Sequence, residues 1–326
     1  MPRALSTLAA ATALALLSAA CGSDEDGGAP PAKPRPTAAP ADFPDAAGKT
    51  IQSLRAETGQ SLVFAPSVQE LRKGTNRYGF ALFDTARKQV TGAAVALYTA
   101  RADGSGLRGP YIARSESLKV RGPFQSRTTA SDPDAAKAVY VADVPFKRNG
   151  KQIVTAMAKL DGRLISTNAF SVDVGAADNS GPPEVGEKAI RVHTKTIADV
   201  GGDASQISTR NPPAEDLLRT DLADVLGKKP VVITFATPLL CASRVCGPVV
   251  DIVEEAKAQA PSSVAFIHQE IYRDNQVDKG VQAPVASWRL RSEPWTFVID
   301  RRGKIAARFE GAFSVGELRR AIDQVS

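Results

Sequence analysis

Two cysteines, Cys241 and Cys246, are the residues of this sequence whose type and spacing are best suited to chemistry. Paired thiols can form and break a disulfide, and the reactive species is the thiolate of the attacking cysteine. The N-terminus of a helix lowers the pKa of a thiol through its partial positive charge and its unpaired N–H groups. Pro248 suits the first turn of a helix, which predicts Cys246 at a helix entry and Cys241 in the preceding loop. In the alternative register the helix starts near Cys241.

The spacing of the pair restricts the backbone between the two cysteines. Residues five apart in a regular helix have Cα atoms about 8.6 Å apart, whereas a disulfide needs less than about 7 Å. We therefore expect residues 241–246 to form a loop or irregular turn; the alternative is that oxidation unwinds a helical turn. Cys241 is the predicted attacking thiol and Cys246 the resolving one, and Arg244 either favours the thiolate or is a solvated charge. An inert structural disulfide is the competing interpretation.

The third cysteine, Cys21, follows a predicted signal peptide over residues 1–20. Arg3 precedes a small, apolar stretch, Ala4–Leu17, which is too short for a relaxed membrane span. The Ser-Ala-Ala-Cys sequence that ends at Cys21 resembles a bacterial lipobox, with Ser18 where that motif prefers leucine. We predict lipidation of Cys21 and attachment to the outer face of the cytoplasmic membrane, where disulfides persist. Ordinary signal cleavage and a short N-terminal anchor are the alternatives.

The composition of the rest of the chain predicts two folded domains, at residues 51–175 and 186–326. Residues 21–50 are rich in Pro and Ala and are predicted to form a disordered tether. Residues 176–185 read as a linker. The 41 Lys and Arg exceed the 35 Asp and Glu, for a net charge of +6. These charges are dispersed along the chain, which argues against a nucleic-acid-binding surface.

Residues 51–175 are predicted to be all-β. Tyr78, Phe80 and Leu82 alternate with other residues, as in a half-buried strand. Short strands separated by turns, without a helical pattern, predict an immunoglobulin-like sandwich. This part of the sequence has no recognisable catalytic or metal-binding constellation. The predicted strands are Ser61–Ala65, Arg77–Asp84, Ala93–Tyr98, Ala138–Pro145, Ile153–Leu160 and Ala169–Val174.

Residues 186–326 alternate between strand and helix patterns, which is typical of an α/β domain. Pro230–Phe235 is a continuous apolar run that predicts a strand buried on both faces. Pro248–Ala260 has apolar residues at helical spacing. The other predicted elements are a helix at Leu217–Leu226, a strand at Val264–Tyr272, a hairpin of Thr296–Asp300 with Ile305–Glu310, and a helix at Gly316–Val325.

Two motifs in this region resemble the thioredoxin superfamily. The strand from Pro230, followed by Ala-Thr-Pro and then a cysteine, is similar to that superfamily's strand-to-helix entry. The Pro-Trp-Thr-Phe-Val-Ile-Asp run from Pro294, followed by Gly-Lys-Ile from Gly303, resembles its membrane-anchored extracytoplasmic branch, the thioredoxin-like proteins of cytochrome maturation. The resemblance covers residues 186–326 and implies an α/β thioredoxin-like fold. The C-x4-C spacing departs from the C-x-x-C of thioredoxins.

The resemblance also implies a site and a function. Pro294 would be a cis-proline beside the cysteines that shapes a substrate groove. Thr237 and Arg244 are expected along that groove, and Trp295 either flanks it or fills the core. The implied activity is thiol–disulfide exchange with the thiols or disulfides of exported proteins, without a bound cofactor or metal. We expect the protein to act as a monomer.

Three other functions compete with this one. A peroxiredoxin-like thiol peroxidase is suggested by Thr-Pro followed by C-x4-C-G, but Thr234 and Pro238 are displaced from the peroxiredoxin signature. Copper delivery through two thiols and a histidine is disfavoured, because His193 and His268 are the only histidines and Met157 is the only methionine after the signal peptide. The third is a binding protein with a permanently oxidised pair.

Overall fold

The computed structural model describes Met1, residues 38–175 and residues 181–326. The predicted signal peptide beyond Met1, the lipidation site Cys21 and the predicted tether up to residue 37 lie outside the described residues. Residues 176–180 of the predicted linker lie outside them as well.

Nine described strands between residues 59 and 174 form a sheet that closes into a barrel. Seven of them are hydrogen-bonded in the order β1-β8-β7-β4-β5-β6-β2, and β2 pairs with β1 again. Of the other two strands, β3 pairs with β2 and β9 with β7. The strands are β1 Gly59–Pro66, β2 Gly74–Phe83, β3 Gln89–Val90, β4 Ala94–Arg101, β5 Arg108–Ser117, β6 Ala138–Phe146, β7 Gly150–Leu160, β8 Arg163–Thr167 and β9 Phe170–Val174.

Two strands close the barrel because each changes partner along its length. β1 pairs in parallel with β8 up to Leu62 and then antiparallel with β2 from Val63. β5 pairs with β4 up to Ala113 and with β6 from Arg114. The predicted immunoglobulin-like sandwich is therefore wrong. A sandwich keeps two separate sheets with free edges, whereas β1 and β5 join the two sheets here.

The barrel core contains the alternating residues that the sequence indicated. Tyr78, Phe80 and Leu82 are all fully buried. On the barrel's outer side, Phe43 is buried with Tyr98, and the Tyr98 hydroxyl donates to the Pro44 carbonyl at 2.7 Å. The chain is therefore already packed at residue 43, inside the segment predicted to be the tether.

A separate four-stranded sheet forms in the second half of the chain. Its strands are β10 Val231–Phe235, β11 Ala265–Gln269, β12 Trp295–Ile299 and β13 Ile305–Glu310. They are ordered β11-β10-β12-β13; β10 and β11 are parallel and the other pairs are antiparallel. Successive residues of β10 face opposite sides of the sheet, and both sides are buried, as the continuous apolar run predicted.

The described helices are short. They are α1 Ile51–Ala56, α2 Arg127–Ser131, α3 Leu222–Val225, α4 Cys246–Ala258, α5 Ala283–Ser287 and α6 Val315–Ile322. α4 and α6 cover one face of the small sheet. Short helices and irregular chain, including Trp288, cover the other face. None of these helices has the length and apolar character needed to cross a bilayer.

The fold class predicted from the sequence is thus corrected. The chain is mostly β, with a closed seven-stranded barrel and a separate small sheet, rather than a sandwich followed by an α/β thioredoxin-like domain. Several individual elements match their predicted positions, including two helices: α4 was predicted at Pro248–Ala260 and α6 at Gly316–Val325. The predicted helix Leu217–Leu226 shrinks to the four residues of α3, because Asp221 caps its start and Gly227, with φ of +78°, follows its end.

Ion pairs join the barrel to α6, which packs on the small sheet. The Glu317 carboxylate at the start of α6 accepts from Arg77 at 2.7 Å and from Arg114 at 2.8 Å, both on barrel strands. Its side chain is 5% exposed. Nearby, the Ser314 hydroxyl donates to the buried Glu116 at 2.6 Å. Apolar residues of β6 also pack in one cluster with α4 and α6.

Replacing Glu317 by Gln is expected to lower the free energy of unfolding by about 3 kcal/mol, since the partly buried Arg77 would lose its counter-charge and Arg114 would keep only Glu116 and Asp143. Burial opposes ionisation of Glu317, but the charges of Arg77 and Arg114 outweigh it and hold its pKa at about 2. The stabilisation is therefore complete above pH 4.5 and is lost as the pH falls toward 2. Urea denaturation across this pH range measures both effects.

The matched control is Glu57→Gln, which removes a carboxylate from the exposed ion pair with Lys49. It should change stability by less than about 1 kcal/mol. Equal losses in both variants would contradict the assigned role of Glu317.

Candidate functional site

The cysteine pair lies where the chain passes from β10 into α4. Residues 236–245 form a loop, and α4 begins at Cys246 with Val245 as its N-cap. The prediction of a loop between the cysteines, with a helix entry at Cys246, is confirmed. Pro248 stands in the first turn of α4, where a missing N–H breaks no helical hydrogen bond.

Both cysteines are free and in contact with each other. Their side chains approach to 2.5 Å, and no disulfide joins them. Cys241 is 6% exposed and lines a cleft, whereas Cys246 is fully buried. Cys241 is therefore the thiol that an external disulfide can reach.

Hydrogen bonds favour the thiolate of Cys241. The largest contribution is the bond from the Cys246 thiol. The Ser243 hydroxyl lies 3.1 Å from the Cys241 sulfur, and the backbone N–H groups of Cys246 and Val245, at the start of α4, also point to it. These donors outweigh burial and lower the pKa of Cys241 to about 6. At neutral pH Cys241 is then mainly thiolate.

The pKa of the Cys246 thiol is shifted in the opposite direction, upward. Burial raises the pKa of Cys246 well above its usual value, and the hydrogen bond to Cys241 and the charge of that thiolate raise it further. A backbone hydrogen bond from Thr237 opposes this only in part. The pair therefore holds one negative charge on the reachable sulfur and one proton on the enclosed sulfur.

Glu293 is a third side chain at the pair, and sequence reasoning missed it. A carboxylate oxygen of Glu293 and the two sulfurs all lie within 4.8 Å of one another. Burial, and then the negative charge of Cys241, raise the pKa of Glu293 to about 7. The Tyr272 hydroxyl donates to this carboxylate at 3.4 Å. The sequence offered one indication of this residue: Glu293 immediately precedes Pro294, which was itself predicted to lie at the site.

A cleft of about 270 Å³ opens at Cys241 between the two halves of the molecule. We call it the thiol cleft. One wall is the loop before α4, with Pro238, Leu239 and Arg244. The opposite wall consists of hydroxyl-bearing and small residues and one carboxylate from the connection between β5 and β6: Thr128, Thr129, Ser131, Asp132, Pro133 and Ala135. At Gly247 the walls meet closely, since a Cβ there would lie 2.9 Å from Thr129 Oγ1.

A buried arginine fixes the barrel wall of the thiol cleft to α4. Arg210 is 4% exposed and donates to Asp251 of α4 at 2.8 Å. It also donates to the Phe124 carbonyl of the barrel connection at 2.9 Å. From the same connection, the Ser126 hydroxyl donates to Asp251 at 3.2 Å. Both walls are thus held by one buried polar network.

Arg244 and Trp295 make different contacts from those expected of groove residues. Arg244 lines the thiol cleft but pairs with Asp132 of the opposite wall at 3.2 Å, rather than with the thiolate. Trp295 is 1% exposed and stacks on Phe297 with 5.5 Å between ring centroids. Of the two alternatives for Trp295, the structure therefore shows the core position.

Pro294 and Thr237 are buried residues outside the thiol cleft. Pro294 is buried, and the peptide bond between Glu293 and Pro294 is cis. The Pro294 carbonyl accepts from the Gly311 N–H at 2.9 Å. Thr237 is fully buried, and its backbone N–H donates toward the Cys246 sulfur. Neither residue lines the thiol cleft.

Cys241, Cys246 and Glu293 also form a candidate metal-binding group within the described part of the chain. Two thiolates and a carboxylate are ligands suited to zinc. Copper delivery through two thiols and a histidine lacks its third ligand here. His268 is buried against a backbone carbonyl and His193 is paired on the surface, and neither belongs to the group.

Comparisons with known proteins give no family for this chain. No family model matches it, and no curated protein matches it. A solved structure of the human F-spondin reeler domain matches 36% of this chain and 91% of its own, with 10% sequence identity and a TM-score of 0.21. A likeness at that level carries no conclusion about function.

The resemblance to the thioredoxin-like superfamily is corrected by these findings. The structure has a closed seven-stranded barrel and six short helices among the described residues, and no family model supports the assignment.

The rate of Cys241 alkylation by iodoacetamide is expected to rise with a midpoint near pH 6, because only the thiolate reacts. Ser243→Ala should move the midpoint upward, since it removes a donor to the sulfur. Mass spectrometry of the alkylated peptide measures the rate. Ser131→Ala is the control, because Ser131 lines the same cleft without a hydrogen bond to Cys241. A midpoint near the usual cysteine value would contradict the assigned geometry.

Proposed function

We propose that this protein is a thiol–disulfide oxidoreductase that acts outside the cytoplasm on the thiols or disulfides of exported proteins. One observation supports this most strongly: a reachable thiol of lowered pKa touches an enclosed thiol of raised pKa. This asymmetry assigns the attack to Cys241 and the resolution to Cys246. A disulfide with only a structural role has no need of it.

The first step is attack by the Cys241 thiolate on one sulfur of a substrate disulfide. A bond forms between Cys241 and that sulfur, the substrate S–S bond breaks, and the other substrate sulfur leaves as a thiolate. The donors around Cys241 make the thiolate available at neutral pH. The product is a mixed disulfide held in the thiol cleft.

The second step needs the proton of Cys246 to be removed. In the mixed disulfide Cys241 carries no charge, so the repulsion that helps to raise the pKa of Glu293 is gone. Glu293 is then better able to ionise and to accept the Cys246 proton. The Cys246 thiolate attacks Cys241, the mixed disulfide breaks, and the substrate leaves with two reduced sulfurs.

The cycle closes when a partner dithiol reduces the Cys241–Cys246 disulfide by the same two exchanges. Running in reverse, the oxidised pair would introduce a disulfide into a substrate dithiol. In both directions the two electrons move only between sulfur atoms, and Glu293 moves only a proton. The chemistry therefore requires no bound cofactor.

We further propose that lipid on Cys21 holds the protein at the outer face of the cytoplasmic membrane. The support is the signal-peptide pattern of residues 1–20 and the Ser-Ala-Ala-Cys sequence at its end. An oxidising compartment would give the pair disulfide partners to exchange with.

The pair is expected to have a redox potential between about −120 and −270 mV, the range of exchanging oxidoreductases. Equilibration of the full chain with glutathione or dithiothreitol buffers, followed by thiol alkylation, measures it. With insulin as the disulfide substrate, Cys246→Ser should retain an insulin chain in a complex that dithiothreitol releases. Cys241→Ser is the control and should retain none.

A potential below about −300 mV would identify a structural disulfide and reject the proposal. Retention of insulin by Cys241→Ser would reject the assigned order of attack. Rapid consumption of hydrogen peroxide without insulin reduction would favour a thiol peroxidase instead.

Glu293→Gln is expected to slow resolution of the mixed disulfide by about 100-fold, because it removes the proton acceptor for Cys246. In the unmodified protein the resolution rate should rise with pH through an inflection below about pH 7, because the mixed disulfide lacks the Cys241 charge that helps to raise the pKa of Glu293 to about 7, and the variant should lose this inflection. Rapid chemical quench of the mixed disulfide measures the rate. Asp132→Asn is the control, since that carboxylate lines the cleft but pairs with Arg244. An unchanged pH profile in Glu293→Gln would exclude the proton-transfer role.

A further inference from the structure

A second cleft, of about 250 Å³, lies at one end of the barrel and is surrounded by positive charge. We call it the basic cleft. Five cationic side chains line it: Arg101, Arg108, Lys147, Arg148 and Lys151. The described lining contains no Asp or Glu, and its other polar side chains are Thr99, Asn149 and Gln152. The lining therefore offers mainly hydrogen-bond donors.

The β-sheet register brings these residues together. Arg101 at the end of β4 lies directly opposite Gln152 of β7, and Thr99 lies opposite Arg108 of β5. The lysines flank the turn between β6 and β7, next to the turn between β4 and β5. Residues directly opposite across a sheet have Cβ atoms about 5 Å apart. The cations thus converge from two adjacent hairpins onto one concave surface.

Four of the five cations lack a counter-charge within the described residues, whereas Arg101 interacts electrostatically with Asp103 of the adjacent turn. Arg108, Lys147, Arg148 and Lys151 form no ion pair with any residue in the described ranges. Asp173 of β9 lies opposite Lys151 in register but makes no ion pair with it. Clustered like charges destabilise a fold unless a counter-charge binds. The arrangement is explained if the missing counter-charge is a ligand.

Arg101 is pre-positioned for such a ligand. Its guanidinium lies over Gly106, where an added Cβ would be 3.4 Å from Arg101 Cζ. Arg101 Nη1 donates to the Ser105 hydroxyl at 3.1 Å, which leaves other N–H donors of the fork available. A guanidinium held this way suits bidentate binding to the oxygens of a phosphate group.

We infer that the basic cleft binds a phosphate-bearing ligand. Two sources share this chemistry: a soluble phosphate compound and the head group of an anionic phospholipid. The basic cleft is separate from the thiol cleft. β5 starts at the basic cleft with Arg108, and β6 ends there with Phe146. The connection between these two strands lies at the opposite end of the barrel, where it forms one wall of the thiol cleft. Occupation of one cleft leaves the other open.

Isothermal titration of the full chain in detergent with pyrophosphate tests the soluble source. The double variant R101Q/R108Q should weaken binding about tenfold or more, since it removes two charged donors. The matched control is K73Q/K228Q, which removes two exposed lysines outside the cleft and gives the same net charge. That control should bind within about twofold of the unmodified chain.

Vesicle flotation tests the lipid source. Vesicles of phosphatidylcholine alone are compared with vesicles that also contain phosphatidylglycerol, and any anchor contributes equally to both. A gain with phosphatidylglycerol that R101Q/R108Q loses and K73Q/K228Q keeps supports a lipid head group as the ligand. Pyrophosphate binding with the same variant dependence supports a soluble phosphate.

Two results would overturn the inference. One is the absence of binding in both assays. The other is an equal loss in both double variants, which would mean that only the net charge matters. As a check on folding, R101Q/R108Q should show the alkylation rate of Cys241 found in the unmodified chain.

Discussion

The N-terminus of α4 determines how the two cysteines differ. Its first N–H groups point to the sulfur of Cys241, while Cys246, the first residue of the helix, is enclosed in the core. If the helix began one turn earlier, those N–H groups would no longer face Cys241 and the two side chains would separate. Pro248 in the first turn and Gly247 against Thr129 favour the observed start. The asymmetry of the pair thus follows from where one helix begins.

The barrel contributes to this site even though the reactive atoms belong to the second half of the chain. Its β5–β6 connection forms one wall of the thiol cleft, and Arg210 binds that connection to Asp251 of α4. Farther away, Glu317 joins Arg77 and Arg114 across the same interface. Each of these charged groups is paired and at least partly buried, so separating the halves would expose charges that presently neutralise each other.

The sequence predicted local elements better than their assembly. β13 was predicted to the residue, because a Gly-containing turn at Arg301–Lys304 fixes where the strand starts. β5 was missed, since its burial alternates poorly and Gly109-Pro110 interrupts it. Closure of the barrel depends on β1 changing partner at Val63, a pairing between residues far apart that leaves no periodic signal. The thioredoxin-like assignment was wrong, although its motifs surround the cysteine pair. Glu293 was missed because a single carboxylate has no spacing that identifies it as a site residue.

The narrowness of the thiol cleft restricts what can approach Cys241. A volume of about 270 Å³ between two fixed walls accommodates a side chain or a short stretch of backbone, but not the flat surface of a folded domain. A disulfide packed inside a compact partner would be shielded from reaction however favourable its potential. Chain termini, protruding loops and segments not yet folded would be admitted. Selection among partners would then rest on their local order, with newly exported chains reacting before they mature.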